Sequence, residues 1–259
     1  MDFLTINHIH HTYFTKSSAT TALSDITLDV QEGEFISFLG PSGCGKTTLL
    51  SIVAGLIKPT EGKVELENRP IGDGDNKIGY MLQQDYLFPW KTIEENITLG
   101  LKMNQVLNDK TRSEALSLLH QMGLKGVESK LPRHLSGGMR QRVALVRTLA
   151  TEPKLLMLDE PFSALDYQTK LKLEDLVSNT LKQFGKTAIL VTHDIGEAIA
   201  MSDRIFLFSP QPGRLHKTFT IPEELRNLTP FKARNHRRFA ELFQMIWKEL
   251  EQLEEPEKY

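Results

Sequence analysis

Eight consecutive residues restrict this chain more than any others: Gly40-Pro41-Ser42-Gly43-Cys44-Gly45-Lys46-Thr47. They fit the pattern G-x-x-x-x-G-K-[ST] and lie between an apolar run, Glu34-Phe35-Ile36-Ser37-Phe38-Leu39, and a helical one, Thr47 to Leu56. Strand, glycine loop and helix in that order form a cradle for a triphosphate. Unpaired N–H groups at the helix N-terminus, with the helix dipole behind them, attract an anion. Glycines let the backbone close on phosphate oxygens where a Cβ would collide. Lys46 is placed to reach the β- and γ-phosphates, and Thr47 to ligate Mg²⁺. The stretch therefore implies ATP and Mg²⁺, with Thr48 completing the set of residues around the phosphates.

Composition narrows the class. The chain has 259 residues, 40% of them hydrophobic and 25% charged, which suits a soluble protein with a sizeable core. A formal net charge of −2 offers no broad basic surface, so no nucleic-acid partner is expected. Cys44 is the only cysteine, so no intramolecular disulfide is possible and a reducing compartment fits. The opening Met1-Asp2-Phe3-Leu4 lacks the apolar core of a signal peptide, and no run approaches the ~20 apolar residues of a membrane-spanning helix. Any membrane role would be exercised from outside the bilayer.

Periodicity predicts strands over Phe3–His8, Ala22–Val30, Glu34–Leu39, Lys63–Leu66 and Ile78–Leu82, with Tyr13 and Phe14 in a loop and Asp73 and Asp75 in a turn. His8, His10 and His11 are expected at the surface, since nothing completes a metal site around them. From Thr92 to about Ala150 the pattern is helical, with one helix through Ala115–Met122 and another opening after Ser136-Gly137-Gly138. Leu155–Leu158 is a continuous apolar strand, followed at once by Asp159-Glu160; such a strand belongs in a parallel sheet covered on both faces. Tyr167–Phe184 is helical, Thr187–Val191 a strand, Asp194–Met201 a short helix, and Arg204–Phe208 and Leu215–Phe219 the last strands. The fold expected is α/β: a phosphate-loop core with a parallel central sheet, an antiparallel β subdomain and an inserted helical subdomain. The core spans 1–85 and 154–222 and the helical subdomain about 86–153. The tail, 223–259, carries Phe239, Leu242, Phe243, Ile246, Leu250 and Leu253 at helical spacing behind a basic start, Lys232, Arg234, Arg237 and Arg238. A helix packed on its own domain is favoured over contact with lipid headgroups.

Asp159, at the end of a buried strand, stands where a phosphate-loop ATPase holds Mg²⁺ through water. Glu160 is placed to polarise the attacking water as a general base. His193, just after the strand ending Val191-Thr192, would hydrogen-bond the γ-phosphate or hold that water. Cys44, at a helix N-terminus, is expected to favour the thiolate, so that alkylation blocks ATP binding.

Leu135-Ser136-Gly137-Gly138-Met139-Arg140-Gln141-Arg142 resembles the signature of the ATP-binding cassette (ABC) family. The likeness runs from about residue 3 to residue 220. It implies that Tyr13 stacks on adenine and that Gln83 is the glutamine joining the core to the helical subdomain, with a catalytic and metal-contacting role. It also implies that Ser163-Ala164-Leu165-Asp166 is the dimer-contacting loop after the catalytic Glu160, and that His193 is the switch. In the family, Ser136, Gly137 and Gly138 meet the γ-phosphate held by a second copy, so ATP joins two chains head to tail and Asp166 lies at that junction.

One cassette and no membrane segment suit the motor of an importer whose permease is a separate chain, with an extracytoplasmic solute-binding protein acting indirectly. The motor would then lie on the cytoplasmic face of the membrane, held there by the permease. Tyr86-Leu87-Phe88-Pro89-Trp90 is either local packing or a docking surface for that permease. The alternatives are a soluble cassette ATPase of translation or repair and an export motor. Leu87-Phe88-Pro89-Trp90 and Ser209-Pro210-Gln211-Pro212-Gly213-Arg214 resemble the nitrate, sulfonate and taurine importer branch, and are read as marks of kinship without chemistry.

Overall fold

The computed structural model describes residues 3–72, 77–163 and 165–254. Asp73, Asp75 and Ala164 lie outside the described residues.

A four-stranded antiparallel sheet is built from β1 (Leu4–Phe14), β2 (Ala19–Val30), β4 (Glu61–Leu66) and β5 (Arg69–Pro70), in the order β2-β1-β4-β5. A six-stranded sheet contains β3 (Phe35–Leu39), β6 (Ile78–Met81), β7 (Leu155–Asp159), β8 (Thr187–Thr192), β9 (Arg204–Phe208) and β10 (Leu215–Thr220), in the order β10-β9-β3-β8-β7-β6. All of its pairings are parallel except that of β10 with β9. Every residue of β3, β7 and β8 is buried, as strands covered on both faces require. The α/β class and its two kinds of sheet follow the sequence expectation.

Strand β1 is longer than its pattern suggests. Tyr13 and Phe14, expected in a loop, pair with Thr20 and Ala19. The turn that reverses the chain is only Thr15–Ser18, closed by Thr15 N donating to Ser18 O at 2.8 Å. The Thr-rich start of β2 pleats well, and that recruits the end of β1 into the ladder. His11 is buried rather than exposed, and its ring lies edge-on to Tyr13 with centroids 4.5 Å apart.

Helix α1 (Lys46–Val53) follows β3 directly. Four helices, α2 (Ile93–Ile97), α3 (Leu99–Met103), α4 (Asp109–Gln121) and α5 (Gly137–Leu149), lie between β6 and β7. Thr92 caps α2 and Asn108 caps α4, each through a reciprocal capping box. Helices α6 (Tyr167–Gln183) and α7 (Ile195–Met201) precede β8 and β9, and α8 (Glu223–Arg226), α9 (Pro230–Ala233) and α10 (Arg237–Glu254) form the tail. Leu242 and Ile246 of α10 are buried in one apolar cluster with Ile195, Ile199, Leu207 and Phe219, so the tail helix packs on its own chain. The basic start is largely neutralised within the chain. Arg237 pairs with Glu241 at 3.0 Å, Arg238 with Glu224 at 3.2 Å, and Arg234 turns inward onto Glu174 at 2.7 Å. Among the described residues no helix is long and apolar enough to cross a membrane.

Candidate functional site

Strand β3 delivers the glycine loop to the C-terminal edge of the large sheet. Gly45, the residue that opens α1, has φ +93°, and a Cβ there would meet Leu23 Cδ2 at 2.6 Å and Ala22 O at 2.9 Å. Only glycine fits both the left-handed backbone and that approach. Lys46 is folded into the loop, its Nζ donating to Gly40 O at 2.7 Å and Pro41 O at 2.9 Å. Two carbonyls thus hold the ammonium where a phosphate would compete for it.

Cys44 is fully buried, with Lys46 Nζ 3.5 Å from its Sγ. Its burial opposes the reactivity expected of it, because a thiolate must be reached to react.

Thr47 Oγ1 donates to Asp159 Oδ1 at 3.2 Å, which joins the two candidate Mg²⁺ residues across α1 and β7. Tyr80, on β6, donates to Asp159 Oδ2 at 3.4 Å. Tyr80 was not singled out by pattern; the register of β6 on β7, Tyr80 opposite Met157, brings it beside the acid. Burial pushes the Asp159 carboxyl above its usual range, the Glu160 charge adding to the shift while the Thr47 hydrogen bond opposes it. Tyr80 is pushed up to about 12 by its own burial and by the neighbouring Asp159 charge.

Glu160 stands at φ +45°, a left-handed conformation unusual for a non-glycine residue. Its N–H donates to Val191 O at 2.9 Å, and the bend turns the side chain out of the sheet. There Oε2 accepts from Gln83 Nε2 at 3.2 Å, and Oε1 lies 3.2 Å from His193 Nδ1. Gln83 and His193, from two other segments, therefore meet on the Glu160 carboxylate. Strain of this kind is held where the surroundings over-determine it, as catalytic sites often do.

A cleft with about 700 Å³ of empty space, open to solvent, is lined by Tyr13, Ser42, Gly43, Gly45, Lys46, Thr47, Thr48 and Glu160. The Tyr13 hydroxyl lies 3.2 Å from Thr48 Oγ1, and Glu160 shares the cleft with both. Gln211 also lines the cleft, although the sequence marks its loop only as a sign of kinship. That loop is packed against the phosphate loop so tightly that a Cβ at Gly213 would fall 2.0 Å from Cys44 O. No local pattern marks such a contact, which spans more than 160 positions of sequence.

The signature residues are not part of this cleft. Ser136 caps α5, its Oγ accepting from Met139 N at 3.4 Å, and a Cβ at Gly138 would meet Thr169 Cγ2 at 2.8 Å. Asp166 caps α6, accepting from Thr169 N at 3.0 Å. Between Gln83 and α2 the aromatic loop divides its residues. Leu87 is buried, while Tyr86 and Trp90 are 57% and 71% exposed, so neither packing nor exposure alone describes it. The loop is tied to the signature helix: Arg140 Nε donates to Asp85 Oδ2 at 2.9 Å, and Arg147 donates to the carbonyls of Asp85 and Tyr86 at 2.8 Å.

Behind His193 lies a buried ionic cluster. Glu174 is fully buried, and burial raises its carboxyl to about 7 despite the opposing Arg234 charge. A carboxyl raised in the folded state holds its proton more tightly there than in the unfolded chain, so stability falls as pH rises from the ordinary carboxylate range through about 7. Glu174→Gln removes this pH-dependent cost but leaves Arg234 buried without its partner, so its stability is expected to vary less with pH than that of the unsubstituted chain. Urea midpoints of both proteins at pH 5 and pH 8.5 check it; the stability of Glu174→Gln relative to the unsubstituted chain must rise with pH.

The ABC transporter family model matches residues 23–163. The ABC transporter ATP-binding protein YtlC of Bacillus subtilis is 62% identical over 258 residues, covering 100% of this chain and 99% of that one. The taurine import ATP-binding protein TauB of Roseobacter denitrificans is 42% identical, with 87% of each chain covered. The aliphatic sulfonates import ATP-binding protein SsuB of Bacillus licheniformis is 41% identical, covering 92% of this chain and 90% of that one. Among solved structures, a dimeric post-hydrolysis state of the ATP-binding cassette MJ0796 bound to ADP and Pi superposes with a TM-score of 0.75 at 34% identity, covering 85% of this chain and 99% of the other. The cbiO1 protein of Clostridium perfringens, part of the ABC transporter complex cbiONQ, superposes at 0.76 with 26% identity, covering 95% and 99%. With a phosphate loop, a signature helix and an acidic strand end assembled on this fold, the chain belongs to the ABC transporter family as an ATP-hydrolysing, ATP-binding subunit.

Proposed function

We propose that this chain is the motor of an importer for a small sulfonate, taurine or nitrate-like solute, working as a head-to-tail dimer on a separate permease. Its core is 1–85 and 154–222, its helical subdomain about 86–153 and its tail 223–259. The observation that carries the catalytic part is the meeting of Gln83, Glu160 and His193 beside the glycine loop, with Glu160 hydrogen-bonded to both others. Tyr13 takes the adenine ring. The glycine loop (Gly40, Pro41, Ser42, Gly43, Cys44, Gly45) and Lys46 and Thr48 take the phosphates. Thr47, Asp159 and Gln83 offer only oxygen donors, which suits Mg²⁺; the cation supplies neutralising charge at the phosphates. Glu160, as carboxylate, takes a proton from water as the water oxygen bonds to the γ-phosphorus, and ADP leaves. His193, whose Nδ1 lies on Glu160, is the switch residue beside the γ-phosphate. Ser136, Gly137, Gly138 and Asp166 lie outside the cleft and act on the nucleotide of a second copy.

The solute class rests on the taurine and sulfonate relatives, which match over most of both chains. The exposed Tyr86 and Trp90, in a loop that Arg140 and Arg147 tie down at Asp85 and Tyr86, suit docking of a permease helix. That partnership puts the chain at the cytoplasmic face of the membrane, with a solute-binding protein outside. The test is affinity capture of the tagged full chain from detergent-solubilised membranes. A stoichiometric multi-helix partner is expected, and taurine, an alkane sulfonate or nitrate should bind its companion binding protein. Recovery without any integral membrane partner overturns the importer reading.

A further inference from the structure

His193 sits in the short connection from β8 to α7, between Thr192 and Asp194, whose side chains are fixed by one buried cluster. Thr192 Oγ1 donates to Glu197 Oε2 and accepts from Asp194 N at 3.0 Å. Asp194 caps α7 through Glu197 N at 3.1 Å. Lys170, from α6, bridges the two acids, with Nζ 2.7 Å from Asp194 Oδ2 and 2.5 Å from Glu197 Oε1. One turn further along α6 is Glu174, a third carboxylate within reach of Lys170 and fully buried. Its counter-charge comes from the tail. Arg234 Nη2 donates to Glu174 Oε1 at 3.1 Å, and Nη1 lies 2.7 Å from Oε2 as an ion pair without hydrogen-bond alignment. The tail closes over the same spot, because a Cβ at Gly196 would meet Arg234 Nη2 at 3.7 Å and Phe239 Cζ at 3.8 Å.

Three carboxylates thus face two cations, and Lys170 serves two of the acids only while Arg234 occupies the third. We propose that Arg234 is a positioning residue for His193: by neutralising Glu174 it leaves Lys170 on Asp194 and Glu197, which hold the connection that carries His193. Without Arg234, Glu174 can remain ionised only by drawing on Lys170, so at alkaline pH Asp194 is released and the His193 backbone loses its anchor. A buried charge left without its partner is a strong perturbation, whereas removing both members of the pair is mild. The tail thereby controls the switch residue without touching nucleotide.

The inference rests on His193 acting at the γ-phosphate, so His193→Ala is measured in parallel. ATPase activity of the full chain is followed at pH 6.5 and pH 8.5 for Arg234→Met, Glu174→Gln and the double variant. At pH 8.5 Arg234→Met is expected to lose about tenfold in kcat with KM for MgATP within about twofold, the size of a one- to two-hydrogen-bond misplacement. Losing the Arg234 charge raises the Glu174 carboxyl further, so the loss shrinks at pH 6.5, where the acid is neutral and no longer draws Lys170 from Asp194 and Glu197, and grows toward the alkaline end. Glu174→Gln in the same chain restores kcat at both pH values. Wild-type kcat in Arg234→Met at pH 8.5, or a loss equal at both pH values and not repaired by Glu174→Gln, overturns the inference. If Arg234→Met does not fold, Lys170→Met must lower kcat at unchanged KM; wild-type kcat in that variant overturns it as well. A fully active His193→Ala would instead sink the reading of the switch itself.

Discussion

Glu160→Gln is expected to lower ATP turnover by about 10²- to 10⁴-fold, the range a positioned general base contributes. The amide keeps the volume and can still engage Gln83 and His193, but it cannot take the proton of the attacking water. The substitution also removes a negative charge from the mouth of the cleft, so MgATP affinity is not expected to fall. With closure intact and hydrolysis blocked, the variant should accumulate as an ATP-bound dimer. Size-exclusion chromatography with light scattering in excess MgATP, in the absence of any permease, checks this. A monomer under those conditions would falsify the assignment of Glu160 as base with closure driven by ATP.

Lys46→Ala is expected to weaken MgATP binding by about 10²-fold, as removal of one or two charge-assisted hydrogen bonds of 1.5–3 kcal/mol each implies. Two effects add. The phosphates lose their ammonium, and the carbonyls of Gly40 and Pro41, now bonded to Lys46 Nζ, lose a buried donor. The second effect loosens the loop before any nucleotide arrives. Isothermal titration of the variant with MgATP, beside a melting curve of the free protein, separates the two. An unchanged Kd would mean that Lys46 stays on its own loop and never reaches phosphate.

The Arg234 inference adds a third kind of control, in which pH acts through a buried acid behind the active site. Its opposing groups are all within the chain: Lys170 on α6, Asp194 and Glu197 around α7, and Arg234 after α9. Because the cluster carries one more acid than base, its balance is poised to respond to loss of a single cation.

Much of the molecule was legible in sequence because local physics wrote it there. The loop from Gly40 to Thr47 must bend where only glycine can, so its pattern is compact and its flanking strand and helix follow from short-range periodicity. The all-apolar Leu155–Leu158 run betrayed a strand buried on both faces, and Asp159-Glu160 directly after it marked the acidic end of the site. The pairings that make the site work were not local. That Glu160 would receive Gln83 and His193 together depends on strand order and on a left-handed bend at Glu160. Burial of His11 and Cys44, the approach of Gln211 to the cleft and the inward turn of Arg234 all depend on which surfaces meet when the sheets and tail close. A charged residue in a basic run reads the same whether water or a buried carboxylate is its partner, since composition carries no information about depth. The sequence determined the fold class, the phosphate loop and the identity of the acids; only tertiary packing decided which charges lost their water, and therefore which of them must answer to one another.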